Sequence, residues 1–353
     1  MIGLGIIGCN FGRLVHLPAF RHDQRCEVVA LAGRDAARTA ELAKASNVPL
    51  AFDSWENLVE CPSVDAIAIA TAPHLQPAIA VLALERGKSV FAEKPMAADL
   101  AGAKRMIEAA QSSRCAATVD FSFCEILSWK RARTLIQEGA IGRLRHVDVN
   151  WNIENYGTRM RLKNWKTLGD EGGGVLGNFV SHCFHYLEWF CGPIVGLSAH
   201  LSGLRDAPEL ETNAGVNVMF RSGAAGRLAV SCASYLGSGH RIEFYGDDGA
   251  LTLANATPDY MRGFQLSLGR RPATLMSPID IVDETDLRFP SDGRIAPISR
   301  MASSFLDSVE RRVPDIVGFS QGFRVQGLLD TARRANDLGH WLECGAELEG
   351  QRL

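Results

Sequence analysis

The stretch Gly5-Ile6-Ile7-Gly8-Cys9-Asn10-Phe11-Gly12 constrains this chain more than any other. It begins inside an apolar run, residues 2–7, and leads into a helical stretch that holds His16 and Phe20. A sharp bend between a buried strand and a helix suits a backbone that must pass close to phosphate. Glycine adds no Cβ, and the helix N-terminus offers unpaired amides. Gly8 and Gly12 take the bend and the close approach. Asn10 stands at the second glycine of the G-x-G-x-x-G pattern and Arg13 at the third. Asparagine tolerates left-handed backbone, so on this reading the turn survives. A tight turn that holds no ligand would read the same; the strand–helix alternation around it separates the two.

That alternation fills the first third of the chain. Apolar runs at 28–32, 66–70 and 89–91 read as buried strands. Residues 35–45, 73–86 and 99–110 read as helices, with Asp35 and Asp99 as N-caps and Gly87 as a C-terminal stop. This predicts an α/β fold: an N-terminal Rossmann domain with a doubly wound parallel sheet. After a last strand near 118–121 the pattern changes. Runs at 144–151, 196–202, 214–220, 226–234, 240–246 and 250–254 are spaced by turn signals such as Arg221-Ser222-Gly223 and Asp247-Asp248-Gly249. They predict a large open, mostly antiparallel sheet, interrupted by one long helix at about 174–191. Final helices near 298–311 and 321–338 close the chain and can pack back on the first domain. A length of 353 residues fits two domains, 1–118 for the dinucleotide and 119–353 for the rest.

The end of the second strand discriminates between cofactors. An acidic residue there accepts the ribose hydroxyls of NAD, whereas an arginine holds the 2′-phosphate of NADP. The chain reads Ala32-Gly33-Arg34-Asp35, which favours NADP over NAD. The alternative is that Arg34 is a solvated arginine beside an N-cap.

A net charge of −3, with 22% charged and 46% hydrophobic residues, gives no reason to expect nucleic acid or an anionic membrane as a partner. No apolar run approaches the ~20 residues of a membrane span. The nine cysteines are scattered singly with no CxxC pair, which predicts reduced thiols and no metal site. With a first strand starting at Ile2, no leader is expected ahead of it, and the expected location is cytoplasmic.

Three further stretches carry a family resemblance: Val90-Phe91-Ala92-Glu93-Lys94-Pro95, the loop Thr71-Ala72-Pro73-His74, and the run from Gly172-Gly173-Gly174 to Asn178 and His182. With the glycine turn and the spacing between them, the chain resembles the glucose–fructose oxidoreductase/inositol dehydrogenase/MocA (Gfo/Idh/MocA) family from Ile2 to about residue 343. The resemblance implies that Lys94 is catalytic and that a cis Lys94–Pro95 bond aims its ammonium at the substrate. It implies that Gly8, Cys9, Asn10, Phe11, Gly12, Arg13, Gly33, Arg34, Thr71, Ala72, His74, Gln76, Glu93 and Lys94 line the cofactor. It also implies that the second sheet forms a homodimer or homotetramer interface. The family's D-x-x-x-H pair falls on Asn178 and His182. Asn178 departs from the pattern, as do Gln76 in place of a histidine and His185 in place of an acid.

The chemistry is coherent in its own right. Moving hydride to or from a carbinol carbon requires a proton to leave or join its oxygen. A lysine, with a free pKa of about 10.4, serves at neutral pH once burial or a nearby positive charge lowers it. The competing reading is a surface lysine paired with Glu93. His182 can bond the reacting oxygen or relay its proton, while the amide of Asn178 can only orient.

Ahead of the long helix, residues 152–170 carry Tyr156, Arg159, Arg161, Lys163, Trp165 and Lys166. Aromatic faces suit a sugar ring and arginines suit phosphate or carboxylate. Tyr156, Arg159 and Trp165, with His185 of the helix, are the substrate-binding candidates, for a polyol, sugar, cyclitol or nucleotide-linked keto sugar; the alternative is a solvated basic loop. Two other classes stay open: a glycosidase that oxidises transiently with bound NAD, and a dinucleotide-sensing protein without catalysis.

Overall fold

The structure, a computed structural model, describes residues 1–311 and 318–345. The described residues divide into two compact units: 1–122 together with 289–311 and 318–326, and 123–288 together with 327–345. The division expected after residue 118 falls inside a strand, and the first unit also takes in residues 289–311 and 318–326 from late in the chain.

In the first unit six strands, β1 (Ile2–Ile7), β2 (Cys26–Ala32), β3 (Leu50–Phe52), β4 (Ala66–Ile69), β5 (Ser89–Glu93) and β6 (Ala117–Asp120), form one sheet in the order β3-β2-β1-β4-β5-β6. Every neighbouring pair is parallel. The strand order reverses between β1 and β4, and a crevice over the C-terminal ends at such a point is where open α/β sheets take ligands. Asp35 and Asp99 cap the helices Ala36–Ala45 and Leu100–Ser112, accepting from the amides of Arg38 and Gly102. The helix Gln76–Glu85 ends at Gly87, which adopts φ +72°. β3 was not foreseen, because it is a three-residue edge strand with Leu50 and Ala51 exposed.

The helix Ile295–Arg311 belongs to this unit. Its Ile298, Met301, Phe305 and Leu306 join Leu4, Ile6, Leu17, Phe20 and Phe91 in one core. Phe20, Phe91 and Phe305 meet edge-on, with centroids 5.3, 5.7 and 6.1 Å apart.

The second unit is built on a nine-stranded sheet. Its strands are β7 (Leu144–Asn152), β8 (Ile194–Leu204), β9 (Ala207–Phe220), β10 (Ala225–Ser231), β11 (Gly239–Gly246), β12 (Gly249–Asn255), β13 (Gln265–Arg270), β14 (Ser277–Ile279) and β15 (Leu342–Glu343). Their order is β14-β13-β12-β11-β7-β10-β9-β8-β15, antiparallel throughout except for the β7–β10 pair. β10 alternates exposed and buried residues, the mark of a sheet with one covered face. Trp129 on the helix Leu127–Gln137 and Tyr186 on the helix Ser181–Cys191 bury their rings with Trp151 of β7. The expected fold class is the one observed. All nine cysteines are free thiols, and among the described residues no helix is long and apolar enough to cross a membrane.

Candidate active site

At the end of β1, Gly8 adopts φ +125°, and a Cβ there would lie 2.4 Å from the carbonyl oxygen of Ala70. Only glycine fits. The chain then enters a π-helical turn, Gly12–His16, followed by the α-helix Leu17–Arg21. Asn10 is exposed, and it is not among the residues of positive φ. The left-handed geometry expected of it is therefore not used, because Gly8 alone reverses the backbone. Asn10 instead offers its carbonyl to the amide of Leu14, opening the helix. The Cys9 thiol turns inward, 3.6 Å from the carbonyl of Ala32, and Arg13 reaches back to the carbonyl of Cys9. Phe11 stands edge-on to the ring of His16. Gly33 is half-buried at the end of β2, and Arg34 beside it is exposed. After β4, Thr71 and Ala72 are half-buried and His74 is exposed.

Glu93 is the last residue of β5, and the Lys94–Pro95 bond that follows is cis, as expected. Lys94 is half-buried. Gln76 has no exposed surface, and its amide nitrogen donates to the carbonyls of Glu93 (2.9 Å) and Pro95 (2.8 Å). These are the residues on either side of the lysine, so Gln76 clamps the turn that presents it. The Glu93 carboxylate faces inward, 2.9 Å from Nε2 of His16. Asp120, at the end of β6, lies 3.4 Å from the same nitrogen. Burial opposes a charge on His16, but the hydrogen bonds and charges of Asp120 and Glu93 outweigh it and raise its pKa to about 9. Burial, then the Asp120 charge, pushes the Glu93 carboxyl up, against the pull of His16.

In the second unit a π-helical turn, Leu176–Val180, leads into the helix Ser181–Cys191. The three glycines before it let the backbone pack tightly: a Cβ on Gly173 would lie 2.2 Å from the carbonyl oxygen of Trp165. Asn178 is buried and donates its amide to the carbonyls of Gly174 (2.8 Å) and Lys166 (3.2 Å). It ties the preceding loop to the helix. His182 is 8% exposed, with its ring 4.8 Å from Phe123 and 6.1 Å from Trp151. His185, expected at the substrate, belongs instead to the core of this unit. It is 5% exposed, its Nδ1 lies 3.6 Å from the thiol of Cys124, and burial, then the Arg133 charge, lowers its pKa to about 3. His185 lies three residues beyond His182, about 60° round the helix, on the side that meets Cys124. Tyr156 is exposed with the Arg159 guanidinium 5.7 Å from its ring, and Lys166 lies 5.7 Å from the half-buried ring of Trp165.

Residues 2–121 match the family model described as oxidoreductase family, NAD-binding Rossmann fold, and residues 129–252 match the GFO/IDH/MocA C-terminal domain. The chain belongs to the Gfo/Idh/MocA family of oxidoreductases. This family member is 28% identical to an uncharacterized oxidoreductase of Synechocystis sp., over 96% of this chain and 95% of that one. It is 27% identical to trans-1,2-dihydrobenzene-1,2-diol dehydrogenase of Bos taurus, over 67% of this chain and 68% of the relative. Levoglucosan dehydrogenase, solved as a complex with NADH, shares the fold with a TM-score of 0.86 at 18% identity, over 98% of this chain and 99% of the other. The Gfo/Idh/MocA chain is thus an enzyme with an NAD-binding Rossmann fold.

Sequence reasoning assigned no role to His16 or Asp120. Asp120 carried a signal, since a carboxylate closing the apolar run Ala117–Asp120 beside Glu93 has to be compensated.

Proposed function

We propose that this oxidoreductase moves hydride between nicotinamide and a carbinol or carbonyl carbon of a ring-borne polyol, sugar, cyclitol or related diol, with Lys94 as the acid/base. The observation that carries the reading is the lysine turn. It sits at the C-terminal end of β5, one strand beyond β4, and its two flanking carbonyls are held by a buried glutamine.

The sharp bend at Gly8, where a Cβ would strike the Ala70 carbonyl, would bring the following amides, Cys9 to Gly12, to a pyrophosphate. Thr71, Ala72 and His74 would flank the cofactor along β4. Exposed Arg34 at the end of β2 would pair with a 2′-phosphate, so NADP is preferred to NAD. Nicotinamide, when bound, supplies or accepts the hydride. Lys94 takes the proton from the substrate hydroxyl during oxidation and returns it during reduction. His182 donates a hydrogen bond to that oxygen, and Asn178 shapes the loop ahead of the helix through its bond to Lys166. Tyr156 and Trp165 offer faces for a ring, and Arg159 offers a donor to its hydroxyls. A 1,2-diol on a six-membered ring is named in the Bos taurus relative and is also found in cyclitols and pyranoses.

The exposed face of the nine-stranded sheet would make a homodimer or homotetramer, which sedimentation equilibrium measures. The free thiols are compatible with a cytoplasmic location.

The test is a titration of NADPH against NADH, followed by a screen of sugars, polyols and cyclic diols at 340 nm. Lys94→Ala should lower kcat by about 100- to 10,000-fold, the usual worth of a positioned acid/base, and leave the nucleotide Kd within a few-fold. Full activity in Lys94→Ala, or silence across the whole panel, would refute the reading.

A further inference from the structure

Three ionisable side chains of the first unit meet where the reaction scheme leaves them unused. His16 closes the π-helical turn after the glycine bend, Glu93 ends β5, and Asp120 is its partner in register on β6. The imidazole has no exposed surface and Asp120 has 2%. A single nitrogen, Nε2, faces both carboxylates. Two carboxylates 2.9 and 3.4 Å from one nitrogen, Asp120 buried and Glu93 largely so, need a cation between them for both to stay ionised. The protonated ring supplies one, and burial, which opposes it, is outweighed. Phe11, Phe20 and Phe91 stand edge-on to the ring at 5.3, 6.4 and 5.3 Å and fix its plane. The charged groups acting on the imidazole come from β5 and β6, Glu93 and Asp120, while Arg13 of its own turn points to the Cys9 carbonyl.

The cluster joins two halves of the candidate site. Phe11 and His16 belong to the glycine turn. Glu93 is bonded covalently to Lys94, and its carbonyl is one of the two that Gln76 holds. We propose that His16 is a positioning residue for Lys94: as the cation between Glu93 and Asp120, it fastens the glycine turn to the strand end carrying the lysine and offsets the negative charge beside the ammonium. This rests on the reading of Lys94 as acid/base. The competing occupant is a divalent metal, since one ligand atom from each residue lies within 4.8 Å of the others.

The two roles differ in their electrostatics. His16→Gln removes the cation and leaves the carboxylates uncompensated. One extra negative charge roughly 10 Å from an ammonium, at an effective dielectric of about 20, raises its proton affinity by about one pH unit. Glu93→Gln and Asp120→Asn each remove a negative charge and should lower it by a similar amount. A purely structural role moves all three variants the same way or not at all.

The experiment is competitive acetylation of the full-length protein across pH, read by mass spectrometry on the Lys94 peptide. His16→Gln should raise the labelling midpoint, and Glu93→Gln and Asp120→Asn should lower it. Should His16→Gln fail to fold, the two carboxylate variants still decide, because both must lower the midpoint. Midpoints that stay put or all move together overturn the proposal, as does a stoichiometric metal that chelator removes and His16→Gln abolishes. Turnover of Lys94→Ala, measured in parallel, separates the two claims. An inactive Lys94→Ala with unmoved midpoints leaves the acid/base reading standing and sinks the role of His16. An active Lys94→Ala with the stated shifts does the reverse.

Discussion

On the proposed reading, cofactor preference comes down to Arg34. It follows Gly33 at the C-terminal end of β2, is exposed, and has beside it an aspartate already engaged as the cap of the next helix. With Asp35 bonded to the Arg38 amide, the carboxylate is turned to its own helix, and the guanidinium is the charged group left at the strand end. A charge-assisted arginine–phosphate pair is worth about 1.5–3 kcal/mol. Arg34→Ala should therefore weaken NADPH by about 10- to 100-fold while NADH changes less than about threefold. Equal losses for both nucleotides in a fluorescence titration would remove the case for NADP. Single residues were legible where backbone chemistry is unforgiving, as at Gly8, Asp35 and Asp99. They were illegible where identity leaves the partner open. Gln76 is expected along the cofactor in place of a histidine, yet its buried amide spans the lysine turn. His185 reads as a second site histidine, yet it ends up against Cys124.

Whole elements were easiest to read where one period dominates. Four of the six strands of the parallel sheet are apolar runs that any buried strand must show, and the helices between them carry their own caps. β3, β13, β14 and β15 were missed for the opposite reason: they are short or mixed in polarity, and pairing, not composition, makes them strands. The helix Ile295–Arg311 shows what sequence order conceals. Its apolar stripe is plain, but that it completes the core of the N-terminal unit, far along the chain from β6, follows only from packing. Phe305 is 1% exposed and meets both Phe20 and Phe91 edge-on. Phe305→Ala should cost about 3–5 kcal/mol through lost burial and the cavity left behind. Chemical denaturation should show that loss in the first unit, with the nucleotide Kd of the folded variant within threefold of the parent. A loss under about 1 kcal/mol would mean the helix is not part of that core.

At the scale of the molecule, the two units carry opposite responses to pH. In the first, His16 has a folded pKa of about 9 against 6.5 free, so its contribution is complete below pH 6.5 and is lost as pH rises through 9. Glu93, raised from 4.5 to about 7 chiefly by burial, acts in the same direction: its share is lost as pH rises through that range. In the second, His185 and His240 are buried and their pKa values fall to about 3, chiefly by burial. The His240 ring stacks on Trp151 at 4.2 Å and its Nε2 lies 3.0 Å from the hydroxyl of Tyr186. Below pH 6.5 the unfolded chain takes up protons that these two rings refuse, so stability is lost as pH falls, by roughly 1 kcal/mol per pH unit for each ring. The ion-paired Asp23 and Glu243 are lowered and the Cys26 thiol is raised, so their shifts fall outside pH 5–9. Hydrogen exchange read by mass spectrometry should then show opposite trends in one molecule. From pH 6.5 to 5, after correction for intrinsic exchange rates, peptides from Ser181–Cys191 and Gly239–Gly246 should lose protection while those from Gly12–His16 and Ser89–Glu93 keep it. From pH 6.5 to 9 the order should invert. Parallel loss in both sets would show that the imidazoles do not govern the pH response, and with it that His16 is not held as a cation by its two carboxylates.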